Sequence, residues 1–219
     1  MTRKSKKRRR GKRGKSGRTS SRPASMRKLA QAGYEVRAFE ISDEIEETYK
    51  PGIAEEMADA TLLLKTGHLI EARDAFQSII QREPQIREAY ANLAVAYLQL
   101  GDQEAAEALW REAIDVFPRY VFPRANLAQR CLRRGRVDEA ESLLKPLEKV
   151  RRFHSGEFRF YVLTYSDVLA AQGNYAAALS WLNLLSKALP RSPGVWPRRV
   201  RYWIGRLLHR KQPSQSQMG

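Results

Sequence analysis

Residues 87–120 read REAYANLAVAYLQLGDQEAAEALWREAIDVFPRY, and this stretch decides the fold class of the chain. In its first half, apolar residues recur every three or four positions, as on one face of an amphipathic helix. Gly101 and Asp102 then interrupt the pattern, because glycine accepts the left-handed backbone conformation that ends a helix. A second amphipathic stretch follows and stops before Pro118. The stretch therefore predicts two helices joined by a short turn.

The same markers return along the chain at a regular spacing. The turn glycines are separated by 34, 34 and 38 residues, at positions Gly67, Gly101, Gly135 and Gly173. Five residues after each glycine stands an alanine, at positions Ala72, Ala106, Ala140 and Ala178. A period of this length is typical of stacked helix pairs rather than of one globular core. The small alanine predicts a close crossing between helices.

The period divides the body of the chain into four units of two helices each. Their predicted limits are 53–86, 87–120, 121–158 and 159–192. The third unit is exceptional because Pro146 falls inside its second helix, where proline removes a backbone hydrogen bond. We therefore expect that helix to end early and an irregular loop to follow near Phe153–Glu157.

A single amphipathic helix is predicted at 193–211, before a polar tail at 212–219 that we expect to be disordered. Its apolar positions form one stripe, which consists of Trp196, Val200, Trp203, Ile204, Leu207 and Leu208. We expect this stripe to cover the last repeat as a cap while the arginines face water. Aromatic residues beside arginines also suit a membrane interface. The cap is favoured because the stripe falls in register with the repeats.

These features resemble the tetratricopeptide repeat family. In residues 87–120 the resemblance is carried by Tyr90, Leu93, Ala94, Tyr97, Gly101, Ala106, Trp110 and Pro118. It covers the body of the chain and neither tail. The resemblance implies an all-α fold, a right-handed solenoid of antiparallel helix pairs. It also implies a concave groove that holds a peptide or a partner helix.

The resemblance assigns the partner groove to the first helix of each pair. The matching positions are Met57, Thr61, Leu64, Lys65, Ala91, Val95, Leu98, Gln99, Ala125, Gln129, Leu132, Arg133, Leu163, Asp167, Ala170 and Ala171. Most of these side chains are small or apolar, so we expect an apolar or amphipathic partner segment. One subgroup of the family grips acidic C-terminal tails with lysine, arginine and asparagine. Only Asn92 matches that clamp, so we expect no binding of this type.

The net charge of +16 is concentrated at the two ends of the chain. Residues 1–28 contain 14 Lys and Arg and no acidic residue, and residues 168–219 contain eight and none. Because residues 1–28 have few apolar side chains and repel one another, we predict a disordered basic tail there. Residues 29–52 are predicted to be an acidic linker, in which Ser42 caps a short helix that ends near Tyr49.

Two interpretations of the basic tail stay open. It is a solubilising segment, or it is an arm that binds RNA or DNA phosphates, with an acidic membrane surface as a further option. The residues of the arm are Arg3, Lys4, Lys6, Lys7, Arg8, Arg9, Arg10, Lys12, Arg13, Lys15 and Arg18. The tail has no aromatic residue to stack on bases, so we expect little sequence preference.

Chemistry beyond binding is not predicted. The three histidines share no metal-ligand spacing, no catalytic cluster is visible, and no cofactor motif fits its context, so we expect no metal, no cofactor and no enzyme activity. Cys131 occupies a repeat position that is apolar elsewhere, which predicts a buried thiol. The apolar runs are too short to cross a bilayer, so we expect no integral membrane segment and a cytoplasmic location.

We therefore interpret the chain as an adaptor that binds a protein or peptide partner and reaches nucleic acid or a ribonucleoprotein through its basic arm. The alternative is a non-specific nucleic-acid-binding protein whose repeats only brace or dimerise it. Deletion of residues 1–28 distinguishes the two, since an adaptor keeps its protein partner. The sequence leaves the partner's identity and the oligomeric state open.

Overall fold

The computed structural model describes residues 39–43 and 49–210, and the side chains to residue 208. The predicted basic tail at 1–28, most of the acidic linker and the tail at 212–219 lie outside the described residues. Nine α-helices occur in the part described: α1 (Ile53–Thr66), α2 (Leu69–Arg82), α3 (Arg87–Gln99), α4 (Gln103–Val116), α5 (Val121–Arg133), α6 (Val137–Leu144), α7 (Ser155–Ala171), α8 (Tyr175–Ala188) and α9 (Val195–Arg210). The predicted all-α helical-repeat solenoid is confirmed.

The turn of each helix pair follows the predicted chemistry. Gly101 joins α3 to α4 with a φ of 82°, in the left-handed region that glycine adopts without a steric penalty. Asp102 then caps α4, because its side-chain oxygen accepts a hydrogen bond from the Ala105 amide at 2.9 Å. The alanines five residues after the turn glycines are fully buried, at Ala72, Ala106, Ala140 and Ala178. Complete burial at these four positions is what a close crossing of the helices requires.

The helices enclose two hydrophobic clusters that meet near α5. The first lies among α1–α4, where Phe76 and Tyr90 are almost completely buried, and Leu127 of α5 closes it. The second runs from α5 to α9 and includes Cys131, whose 3% exposure confirms the predicted buried thiol. Burial raises the pKa of this thiol, and the neighbouring carboxylate of Glu139 raises it further.

The third helix pair ends early, as the position of Pro146 predicts. Helix α6 stops at Leu144, and a 3-10 helix follows over Lys145–Lys149. The expected irregular loop at Phe153–Glu157 is wrong, however. Residues Arg152–His154 form strand β2, and α7 begins directly after it at Ser155.

Strand β2 exists because a distant segment pairs with it. Glu40–Ser42 form strand β1, which lies parallel to β2 with Ile41 opposite Phe153. The Glu40 amide donates to the Arg151 carbonyl at 2.7 Å. Ser42, the predicted helix cap, ends this strand, and the short helix predicted after it falls on residues 44–48, outside the described residues.

Helix α9 turns a different face toward the repeats from the one predicted. It packs on α7 and α8 through Val195 and Tyr202, which are 7% and 0% exposed. The apolar stripe expected to cover the last repeat is instead exposed, at Trp196, Val200, Trp203, Ile204, Leu207 and Leu208. Asp167 on α7 holds this orientation, because its carboxylate accepts hydrogen bonds from Arg198 and Tyr202 on the opposite face of α9.

Candidate functional site

An open groove of about 590 Å³ lies where α3, the start of α5 and the β2–α7 junction face one another. Its lining residues are Ser42, Arg87, Glu88, Ala91, Asn92, Ala94, Val95, Leu98, Trp110, Tyr120, Phe122, Pro123, Asn126, Arg152, Phe153, His154, Gly156 and Glu157. The volume is in the range of about 300–1,000 Å³ that is common for ligand sites.

The floor of the groove is the outward face of α3. Ala91, Val95 and Leu98 share this face because residues three or four apart in a helix lie one above another. Val95 and Leu98 keep 39% and 40% of their surface exposed, although residues on the opposite side of α3 are buried in the core. The floor therefore offers two aliphatic side chains that are not covered by the fold.

A row of aromatic rings forms the wall. Tyr120 packs edge-on against Phe117 and Phe122, with ring centroids 6.1 Å and 5.8 Å apart. Phe122 in turn contacts Phe160 of α7 at 5.8 Å. The guanidinium of Arg87 lies over the Tyr120 ring at 5.8 Å, an attractive cation–π contact. These contacts fix the rings, so the wall is formed before any ligand arrives.

The rim of the groove carries both signs of charge, since its lining includes Arg87 and Arg152 as well as Glu88 and Glu157. Glu88 accepts a hydrogen bond of 2.5 Å from the Tyr49 hydroxyl, which ties the start of the first helix pair to the groove. At the other end, the Gly156 amide donates to His154 Nδ1 at 3.2 Å, while the Glu157 carboxylate accepts from the His154 amide at 3.4 Å. This reciprocal cap orients the first turn of α7 toward the groove.

Two asparagines, Asn92 and Asn126, complete the lining. Asn92 Nδ2 donates to Thr61 Oγ1 at 3.4 Å, which links α3 to α1. The arrangement combines an uncovered aliphatic floor, rigid aromatic rings and polar groups at the edge.

The structure brings together only part of the predicted groove. Three predicted residues, Ala91, Val95 and Leu98, line the groove described above, and Met57, Thr61 and Lys65 border a separate depression beside α1. Met57, Leu64, Ala125 and Leu163 are buried, at 4%, 9%, 0% and 8% exposure, so their assignment to the groove surface is corrected. They face the core because the packing of neighbouring first helices covers them.

The remaining predicted positions lie away from this groove. Gln129 donates to Thr164 at 3.1 Å between α5 and α7, and Asp167 binds the arginines of α9. The others are exposed or half-buried outside the groove, at Gln99, Leu132, Arg133, Ala170 and Ala171. The predicted arm residues, between Arg3 and Arg18, lie outside the described part of the chain.

One wall of the groove was not predicted from the sequence. Ser42 of β1 and the β2–α7 residues Arg152, Phe153 and Glu157 belong to segments that the repeat template treats as linker or loop. A signal was present, since the spacing from Gly135 to Gly173 exceeds the regular period by four residues. Extra residues between two otherwise regular repeats indicate that a local structure is added at that place.

Two negative observations concern only the described residues. No group of three or more His, Cys, Asp or Glu side chains is placed to hold a metal ion there. None of the helices in that part is both long and apolar enough to cross a bilayer.

Comparison with known sequences identifies the repeats. Profiles of the tetratricopeptide repeat match residues 57–120 and, in a second form, residues 121–146 and 163–183. No curated protein matches the chain.

Solved structures show the same fold at low sequence identity. A thermophilic TPR protein of Thermus thermophilus aligns with a TM-score of 0.51 at 21% identity, over 69% of this chain and 80% of that one. PilF of Pseudomonas aeruginosa aligns with a TM-score of 0.55 at 14% identity, over 73% of this chain and 77% of PilF. PilW, a type IV pilus biogenesis factor, aligns with a TM-score of 0.56 at 15% identity, over 75% of this chain and 80% of PilW.

Proposed function

Since this chain belongs to the tetratricopeptide repeat family, we propose that it is a protein-interaction scaffold whose groove binds a segment of a partner protein. Repeats of this family present a preformed surface along stacked helices. The partner site is the groove between α3, α5 and the β2–α7 junction, and its ligand is a peptide segment with apolar anchor residues.

The observation that carries this proposal is the exposure of Val95 and Leu98 on the floor of a concave site. Each retains about two-fifths of its surface in contact with water although it stands between rigid aromatic and polar walls. Covering such aliphatic surface with an apolar side chain contributes roughly 25 cal/mol per Å². The mixed rim then selects the orientation of the segment more than it adds affinity.

The proposal has three further parts. The chain acts by binding rather than by catalysis, and it works in the cytoplasm. We also propose that the units at 53–86, 87–120, 121–158 and 159–192 are its repeats. In this division, 193–211 is the terminal cap that contains α9, 29–52 is an acidic linker, and 1–28 and 212–219 are the two tails.

A selection from a random-peptide library displayed on phage, panned against the full chain, tests the groove directly. The test variant is Val95→Asp with Leu98→Asp, and the matched control is Leu100→Asp. Leu100, which directly follows the same helix, has a similar exposure of 37% but does not line the groove. We expect enriched peptides with two or more apolar residues that bind the natural chain and the control at least about 10-fold more tightly than the double variant.

Equal binding to the double variant and to the control would contradict the proposal. Peptides that bind the double variant as tightly as the control do not occupy this groove. Retained helicity of the double variant, measured by circular dichroism, shows that any loss of binding is local, because both substituted side chains are already exposed.

A second function is proposed for residues 1–28, on the observation that they carry 14 cationic residues and no carboxylate. This arm binds RNA or DNA through phosphate contacts with little sequence preference. The alternative function is that of a nucleic-acid-binding protein in which the repeats only brace or dimerise the chain. Deleting residues 1–28 separates the two: a scaffold keeps its groove peptide and loses nucleic acid, whereas a bracing domain has no groove peptide to keep.

A further inference from the structure

Helix α9 presents a continuous apolar stripe to solvent at the end of the solenoid. Its members recur at three- and four-residue spacing and comprise Trp196, Val200, Trp203, Ile204, Leu207 and Leu208. Trp196 is 74% exposed, Trp203 59% and Leu208 62%. Single apolar side chains on a surface are ordinary, but a contiguous row that includes two tryptophans marks an interaction surface.

The orientation of the stripe is fixed by polar contacts on the opposite face. The Asp167 carboxylate accepts hydrogen bonds from Arg198 Nε at 2.9 Å and Nη2 at 2.7 Å, and from the Tyr202 hydroxyl at 2.5 Å. Arg201 also pairs with it. Rotating α9 to hide the stripe would leave this half-buried carboxylate without its partners, which is strongly unfavourable.

Close backbone packing holds the helix in the same orientation. Gly205 lies against the ring of Tyr175, and a Cβ atom at this position would stand only 2.5 Å from that ring. The apolar stripe therefore faces outward in the folded chain, and its exposure does not come from loose docking of α9.

Positive charge surrounds the stripe. Residues 168–219 contain eight Lys and Arg and no Asp or Glu. Arg206 is exposed, and Arg199 donates to neutral partners, at 2.8 Å to Asn183 and 3.1 Å to Ser186. Asp167 pairs with Arg198 and Arg201 and offsets their charge, so the positive charge beside the stripe rests mainly on Arg199 and Arg206.

We propose that α9 lies in the surface of an anionic lipid bilayer, with the stripe among the acyl chains and the arginines at the phosphate groups. A helix with tryptophan and leucine on one face and arginine at its edges is the form that interfacial binding takes. The 16 residues of α9 are about 24 Å long and carry several charges, so the helix lies along the surface rather than across the bilayer.

A second copy of the chain is a poorer occupant. One helix face of about 24 by 10 Å buries on the order of 500 Å² in a symmetric pair, well below the roughly 1,200 Å² of a stable interface. Pairing would also bring the cations of two α9 helices together with no carboxylate on either solvent face. An anionic lipid surface covers the whole stripe without needing a second protein face, and its phosphate groups attract the arginines.

The tryptophans provide a specific probe. The chain has four, of which Trp110 and Trp181 are 4% and 6% exposed in the core, and the other two belong to the stripe. The basic arm contains no tryptophan. A change in tryptophan emission on mixing with vesicles therefore reports insertion of the stripe, separately from electrostatic attraction of the arm.

The experiment mixes the full chain with vesicles of phosphatidylcholine alone or with phosphatidylglycerol, with and without brominated acyl chains. The stripe variant is Trp203→Glu with Leu207→Glu. The matched control is Leu62→Glu with Ile70→Glu, since these residues are 60% and 55% exposed on α1 and α2. We expect a blue shift and bromine quenching with the anionic vesicles only. Affinity should fall at least about 100-fold in the stripe variant and stay unchanged in the control.

Three results would overturn the proposal. The first is the absence of a blue shift in the natural chain with anionic vesicles, including the case in which another part of the chain covers the stripe. The second is equal insertion by the stripe variant and the control. The third is a dimer in sedimentation velocity that the stripe variant abolishes while vesicle insertion is absent, which would make a second copy the occupant.

Discussion

At the scale of single residues, one small side chain per helix pair sets how closely the helices approach. Ala106 is completely buried on α4, next to the crossing with α3. A larger side chain there has no free volume to occupy, because protein interiors are packed as densely as organic crystals. Ala108 is in the same helix but exposed, so the two positions differ in environment and not in local helix propensity.

This difference gives a direct prediction. Ala106→Leu should lower the free energy of unfolding by about 1–3 kcal/mol through overpacking, whereas Ala108→Leu should change it by less than about 0.5 kcal/mol. Urea denaturation followed by circular dichroism measures both. If the two variants unfold at the same urea concentration, the close crossing at Ala106 does not limit the packing.

The period of the sequence was sufficient to predict such positions. The turn glycines, the buried alanines and Cys131 follow from it because each depends on local helix geometry repeated at a constant spacing. The groove surface was predicted less well, since Leu64, Ala125 and Leu163 occupy family positions that are buried here. Their exposure depends on how far neighbouring first helices move apart, which a single sequence does not encode in any local pattern.

At the scale of elements, α9 and β1 show where tertiary contacts override local pattern. Amphipathicity alone predicts that the hydrophobic stripe of α9 is its buried face, but the stripe is exposed. The orientation is decided by Asp167, which lies 31 residues before its partner Arg198. Strand β1 pairs with a strand 112 residues later in the chain, and the ring centroids of Phe39 and Phe158 lie 4.5 Å apart. Three-residue strands have too little periodicity to be recognised from sequence.

The contacts that dock α9 predict that the free energy of unfolding depends on pH in the alkaline range. Burial raises the pKa of Tyr202 to about 12, and the Asp167 carboxylate contributes. The unfolded chain releases this proton near pH 10, so the contribution of Tyr202 is fully present below about pH 10 and is lost as the pH rises toward about 12. The free energy of unfolding should fall by up to about 2 kcal/mol over this interval because of Tyr202.

Tyr202→Phe provides the comparison. The variant should be less stable than the natural chain at neutral pH, because Asp167 loses a hydrogen-bond donor, and its stability should fall less between about pH 10 and about pH 12. Urea denaturation at several alkaline pH values measures both slopes. Parallel slopes would mean that Tyr202 titrates in the folded chain as it does in water.

At the scale of the whole molecule, the excess of basic residues lies at the two ends of the chain, and the groove lies between them. The body between residues 29 and 167 has 18 basic and 24 acidic residues, whereas both ends are strongly basic. The groove lies in the body, and the arginine-rich α9 is at the far end of the solenoid. Under the proposed function, the groove holds a protein segment while the basic ends contact anionic surfaces.

The basic arm yields a quantitative prediction. If roughly 6–10 of its cations contact phosphates, the affinity for double-stranded DNA should fall with salt with a log–log slope of about −5 to −9. The measurement is a titration at several salt concentrations with the full chain and with a chain that begins at Leu29. Equal binding by the shorter chain would place the site among the arginines of 198–210, and a slope near zero would make the arm a solubilising segment.

The groove itself is tested most directly by hydrogen–deuterium exchange of the full chain with a peptide selected from the display library. We expect slower exchange in α3, at the start of α5 and across the β2–α7 junction, with no change in α9. Because Val95 and Leu98 form the floor, the same peptide should leave the exchange of the Val95→Asp, Leu98→Asp variant unaltered. Protection confined to α9 or to the outer helices, with α3 unchanged, would contradict a partner site in this groove.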